Sequence, residues 1–246
     1  MIDFTHFIVN GCSFAYAQNI PRTQTWSYIV AEEFGMELSQ LAKPGASNAT
    51  ILRTTTDHAL QHEGDLNYKP LYCISWTQQE RREEYFKSVH HSKGVFEPRG
   101  VYQGASPNGY IEPQTVFMPI TPQEMEDATV VELAHYECGS PWEAQVFAMH
   151  RKYMNWFHAI SMLENMGLDF LMSDYFVESN QENSDYFRYY YRNIWNKVEQ
   201  HESKLKDFDK LTSGYPVLPC GHDGIVSQHI LADYVIEEIK KRYIDI

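Results

Sequence analysis

Short apolar runs that alternate with amphipathic stretches constrain this chain more than any single residue does. Residues 4–9, 36–41, 70–76 and 168–172 are brief segments the length of strands, the first an apolar run that stops at a tight turn. Between and after them come helical patterns. In 25–34, Trp26, Ile29, Val30 and Phe34 recur at helical spacing and Gly35 supplies a stop. Ser47 or Asn48 caps a second helix that carries Ile51 and Leu52. In 141–166, Val146, Met149, Tyr153, Trp156, Phe157, Ile160 and Leu163 recur at intervals of three and four up to Gly167. Residues 185–200 form an aromatic-rich helix, and 225–243 an amphipathic closing one. Strands alternating with helices at these separations imply βαβ crossovers and a mostly parallel sheet covered on both faces. A fifth strand is expected at 215–218.

The 246 residues suit one domain, 1–246, with an insertion at about 88–140. That insertion holds His90-His91, several Gly and Pro residues, and a hairpin-like turn at 107–110. Thr121-Pro122-Gln123-Glu124 then starts a helix reaching about residue 136. His90 and His91 read as solvent-facing, since neighbours in an extended segment point to opposite sides. A net charge of −13 repels phosphate backbones and sets nucleic acid aside as a partner. Arg81-Arg82 and Lys240-Lys241-Arg242 lie among glutamates and read as solvated helix faces. The start of the chain lacks a signal-peptide pattern and no stretch is long and apolar enough to span a bilayer, so a cytoplasmic protein without a membrane partner is expected. Cys12, Cys73, Cys138 and Cys220 are widely spaced and read as buried thiols, not as a zinc ribbon or disulfide framework.

In a parallel α/β sheet, ligands meet the carboxyl ends of the strands. The segments there are Gly11-Cys12-Ser13, Gly45-Ala46-Ser47-Asn48 and Trp76-Thr77-Gln78. A serine after a small-residue turn can expose its hydroxyl beside backbone N–H groups, although it equally suits a helix cap.

Three blocks carry a resemblance. Gly11-Cys12-Ser13-Phe14 resembles the nucleophile block of the SGNH (GDSL-like) hydrolases. Residues 41–48 are similar to that family's second block, in which Gly45 matches the oxyanion-hole glycine, and 220–225 with His229 and Ala232 resemble its last block, in which His222 matches the catalytic histidine. The segment Trp76-Thr77 with Arg81 and Glu83 is similar to a divergent branch found in bacteriophage and environmental genomes, which would make the protein virion-associated if it comes from a phage.

The resemblance implies a three-layer α/β/α sandwich with a mostly parallel five-stranded sheet of flavodoxin-like topology. It implies a serine esterase without a cofactor or catalytic metal: Ser13 as nucleophile, His222 as base, and the N–H groups of Ser13 and Gly45 as oxyanion donors. The expected substrate is a small-molecule or carbohydrate ester, with O-acetylated carbohydrate the favoured class.

Departures from the family pattern are specific. Cys12 replaces the aspartate beside the nucleophile. The third block's asparagine is replaced by Gln78, with Thr77 as a competing donor. Pro219 stands where the histidine's aspartate partner would be, leaving Asp174, Asp223 or a backbone carbonyl to orient His222. Two other readings follow from those gaps: a non-catalytic SGNH-like virion or carbohydrate-binding module, and a cysteine or metal enzyme using Cys12, Cys220 and His222.

Overall fold

The computed structural model describes residues 2–44, 46–77, 82–87, 96–102, 141–175, 189, 191–219 and 221–244, with 82–87, 96–102 and 141–148 as backbone. In chain order the elements are β1 (His6–Asn10), α1 (Trp26–Phe34), β2 (Glu37–Gln40), α2 (Asn48–Gln61), β3 (Pro70–Trp76), β4 (Arg82–Lys87) and β5 (Phe96–Tyr102). They continue with α3 (Pro141–Asn165), β6 (Asp169–Asp174), α4 (Arg192–Glu199), α5 (Phe208–Thr212) and α6 (Ile225–Tyr243).

Helix boundaries follow their sequence signals. Thr25 caps α1 by accepting from the Tyr28 N–H, and Gly35 ends it at φ 66°. Ser47 caps α2 by accepting from the Thr50 N–H. Gly167 takes up φ 66° just beyond α3, where a side chain would be strained.

The main sheet has the order β2-β1-β3-β6, and all its pairs are parallel. Side chains along these strands alternate between two cores. Phe7, Val9, Leu71, Cys73 and Leu171 pack with Trp26 and Val30 of α1 and with Leu231, Val235 and Ile239 of α6. Ile8, Tyr72, Ile74, Trp76 and Met172 pack on the other side with Ile51 of α2, Trp156 and Ile160 of α3, and Val198 of α4. The result is a three-layer α/β/α sandwich, as the alternation of runs implies.

The fifth strand is a correction. Residues 215–218 do not join the sheet; Val217 makes an isolated antiparallel bridge to Asp223. Four strands form the main sheet among the described residues, and its far edge is extended at one point by a parallel bridge from Met172 of β6 to Lys204. There the Met172 N–H donates to the Ser203 carbonyl and Leu205 donates back to Met172. Tyr215, Pro216 and Val217 are exposed, which suits a surface turn better than a buried strand.

The charged stretch after β3 opens as an antiparallel ribbon of β4 and β5, pairing Arg82 with Tyr102 and Lys87 with Phe96. The expected turn at 107–110, the helix at 121–136, His90, His91 and Cys138 lie outside the described residues. Of the helix expected at 185–200, α4 covers the second half. Cys12 and Cys73 are buried free thiols, and burial pushes the Cys73 thiol up to about 12.

Candidate active site

The sheet changes direction of growth between β1 and β3, and the crevice at that switch point is where such folds hold ligands. Asn10, the last residue of β1, anchors it from below. Its side-chain amide nitrogen lies 2.9 Å from the Ile51 carbonyl and 2.8 Å from the hydroxyls of both Thr54 and Thr55, while its oxygen accepts from the Gly11 N–H at 2.8 Å. The strand end is thereby tied to the first turns of α2. Gly11 has no room for a side chain: a Cβ there would lie 2.5 Å from the Ala15 Cβ and 2.8 Å from the Ser75 carbonyl. That close approach lets the chain wind back at once into the tight coil that carries Ser13.

Ser13 is 5% exposed. Its carbonyl accepts from Gln18 and that of Cys12 accepts from Tyr16, so the coil is closed by its own backbone. Phe14, the next residue, packs its ring against His222 with centroids 4.7 Å apart, and Tyr175 packs against Phe14 at 4.5 Å. The ends of β1 and β6 and the loop before α6 therefore meet around Phe14.

His222 is half-buried on a tight turn. The Gly221 N–H donates to the Leu218 carbonyl at 2.8 Å and the Leu218 N–H donates to the His222 carbonyl at 2.7 Å. Pro219 occupies the second position of the turn that Leu218 and Gly221 close, the position its fixed φ suits. That geometry accounts for proline at this place in the loop. Cys220 lies outside the described residues.

The two candidate carboxylates sit in different surroundings. Asp174, at the carboxyl end of β6, accepts from the Lys152 ammonium at 2.5 Å, and both side chains are almost wholly buried. Asp223 is buried beside His222 in sequence, and burial pushes its carboxyl up to about 6. Its Oδ2 has no hydrogen-bond partner among the described residues.

Of the oxyanion candidates, Thr77 is fully buried and its N–H already donates to the Asn48 side chain at 2.9 Å. The Asn48 amide in turn donates to the Thr77 carbonyl at 3.2 Å, so one side chain clamps both backbone groups that end β3. Gly45 and Gln78 lie outside the described residues. His229 is exposed on α6.

Lys152, Asn10 and the Asn48 clamp went unread in the sequence. Lys152 had a signal: it falls on the apolar stripe of α3, three residues after Met149 and four before Trp156, where a charge must find a partner. Among the described residues, no group of three or more His, Cys, Asp or Glu side chains is set to hold a metal ion. No described helix is long and apolar enough to cross a membrane.

Strand order and layers place the crevice above β1 and β3 in a three-layer α/β/α sandwich of flavodoxin-like topology. No protein-family model matches the chain, and no curated protein matches it in sequence. Solved structures do match. TesA is 11% identical with a TM-score of 0.50, covering 96% of this chain and 99% of that one. The psychrotrophic esterase EstA from Pseudoalteromonas sp., in a structure inhibited by monoethylphosphonate, is 10% identical with a TM-score of 0.51, covering 96% of this chain and 97% of that one. At such identities the likeness is one of fold.

Proposed function

We propose that the chain is a serine esterase in which Ser13 attacks an ester carbonyl and His222 takes up and returns the proton. The observation that carries this reading is the contact between Phe14 and His222, which draws the loop after β1 and the loop before α6 together at the switch point. The hydroxyl adds to the carbonyl carbon, its proton passes to the imidazole and then to the departing alkoxide, and water repeats the sequence to release the acid. The N–H groups of Ser13 and Gly45 and the side-chain amide of Gln78 serve as oxyanion donors. The Thr77 N–H is held by Asn48, which leaves the Thr77 hydroxyl as that residue's competing donor.

His222 works in this reading as part of a dyad. Lys152 holds the Asp174 carboxylate, and the proline turn takes the place of the usual aspartate. O-acetylated carbohydrate is the substrate class proposed. Tyr16 and Tyr215 are both 44% exposed, on the segments that leave Ser13 and approach His222, and exposed rings of this kind stack on sugar faces.

Treating the protein with a fluorophosphonate and assaying a small aryl acetate tests the proposal. Labelling mapped to Ser13, with turnover reduced by about 10³-fold or more in Ser13→Ala and in His222→Ala, is expected. Turnover equal to that of the two variants would replace the esterase reading with a non-catalytic, carbohydrate-binding one.

A further inference from the structure

A second hydroxyl–imidazole–carboxylate chain lies at the other end of the molecule. Ser203 Oγ is 2.7 Å from His201 Nδ1, and His201 Nε2 is 2.9 Å from Glu164 Oε1. The wiring fixes the tautomer. The backbone N–H of Ser203 also points at His201 Nδ1, at 3.1 Å, so that nitrogen must present its lone pair. The ring proton of the neutral imidazole is then on Nε2, where it donates to Glu164. Ser203 Oγ therefore donates to a basic nitrogen whose far side faces a carboxylate, which is the polarity a nucleophilic serine needs.

The chain is braced at every member. Lys197 Nζ donates to both Glu164 oxygens, at 2.7 and 2.8 Å. The hydrogen bonds from His201 and then Lys197 hold the Glu164 carboxyl below its ordinary range, so it remains charged. Phe170 of β6 stacks beneath the imidazole with centroids 5.3 Å apart and planes 21° from parallel. Ser203 itself is held by the bond that its carbonyl accepts from the Met172 N–H. All three relay residues line one cavity of about 450 Å³, which Arg242 also lines. The Arg242 guanidinium donates to the carbonyls of Glu202 and Lys204, on either side of Ser203, and so braces the backbone that carries it.

Nothing in the reading of Ser13 and His222 uses these groups. Glu164 ends α3, Arg242 ends α6, and Asp169, which lines the same cavity, begins β6. The cavity thus opens at the amino end of the sheet, away from the loops that follow β1 and β3.

We propose that Ser203, His201 and Glu164 form a second nucleophilic site, which takes an acyl group from a small ester bound in this cavity. Ser203 Oγ forms a bond to the acyl carbon as the ester C–O bond breaks. The hydroxyl proton moves to His201 Nδ1 and then to the departing alkoxide, and Glu164 stabilises the imidazolium in between. Water deacylates Ser203 by the same route.

The test uses the full chain carrying Ser13→Ala, so that labelling at the first site cannot interfere. This protein is treated with a fluorophosphonate, which loses fluoride as the Ser203 Oγ–P bond forms, and digested peptides are mapped by mass spectrometry. The expected result is a phosphonylated peptide containing Ser203 that disappears in Ser13→Ala/Ser203→Ala. Adding His201→Gln should slow labelling by roughly 10²-fold or more, the usual contribution of a general base. Should that variant melt below the assay temperature, Glu164→Gln, at the more exposed end of the relay, carries the test with an expected slowing of about tenfold or more. An unmodified Ser203 peptide, or a labelling rate indifferent to both replacements, overturns the proposal. Labelling of Ser13 in the parent chain is read from a different peptide, so the two sites succeed or fail separately.

Discussion

Replacing Asn48 by alanine should unfasten the end of β3. The Asn48 side chain accepts from the Thr77 N–H and donates to the Thr77 carbonyl, and both residues are buried. Alanine leaves these two backbone groups without that partner in a region closed to water. Each orphaned buried group costs about 1–3 kcal/mol, so the pair predicts a loss of roughly 2–6 kcal/mol. At a urea m-value of roughly 2–3 kcal/mol per M, the unfolding midpoint falls by about 0.7–3 M. Thr77→Val is the matched control. The Thr77 hydroxyl is buried and has no hydrogen-bond partner among the described residues, so a methyl in its place should leave stability unchanged or raise it by up to about 1 kcal/mol. Urea titrations of both variants, followed by tryptophan fluorescence, measure the two changes. A loss below about 1 kcal/mol in Asn48→Ala, or a loss in Thr77→Val as large as in Asn48→Ala, would show that the clamp does not hold β3.

Two further perturbations probe the same crevice. Gly11→Ala places a Cβ 2.5 Å from the Ala15 Cβ and 2.8 Å from the Ser75 carbonyl, and should lower stability by about 1–3 kcal/mol or more, measured by thermal unfolding; an unshifted Tm would mean the coil after β1 yields freely. Asp223 sets a pH dependence. Its folded carboxyl titrates at about 6 against an ordinary 3.8, because burial disfavours the charged form. Between those values the folded state keeps a proton that the unfolded chain has released, so this group lowers stability as pH rises through the window and adds no further slope above it. Asp223→Asn should remove that component of the slope and be more stable than the parent at pH 8, and parallel stability–pH curves for the two proteins would refute the assignment.

Much of the architecture was legible in the sequence because burial imposes a period. The run at 70–76 is apolar but for Ser75 since both faces of β3 are covered, and α6 begins and ends where its amphipathic pattern does. Gly35 announced the end of α1, and Ser47 was one of two neighbours that could cap α2. What stayed hidden depends on groups distant in the chain. Met172 and Lys204 make a single bridge, too brief for a pattern to register, whereas 215–218 is a short apolar stretch that serves a turn before α6. Asn10 and Asn48 could not be read as anchors without knowing what stands above them. Pro219 was legible only as a missing aspartate until the turn closed by Leu218 and Gly221 gave it a reason of its own.

That turn bears on how His222 would work. Orienting an imidazole and stabilising its charged form are separate tasks, and a partner aspartate ordinarily does both. The stack of Tyr175 on Phe14 and Phe14 on His222 supplies contacts worth about 0.5–1.5 kcal/mol each, similar to the net value of an ordinary hydrogen bond. Packing of that strength suffices to hold the ring in place. It gives only weak help to the positive charge that the ring would carry on taking the Ser13 proton. Asp174 is a poor source of that help because moving it would leave the buried Lys152 ammonium without its carboxylate, a change that costs about 3–5 kcal/mol in buried pairs. A dyad on this scaffold would therefore keep its geometry and lose mainly charge stabilisation, which is the signature of a slow hydrolase that still reacts with a fluorophosphonate.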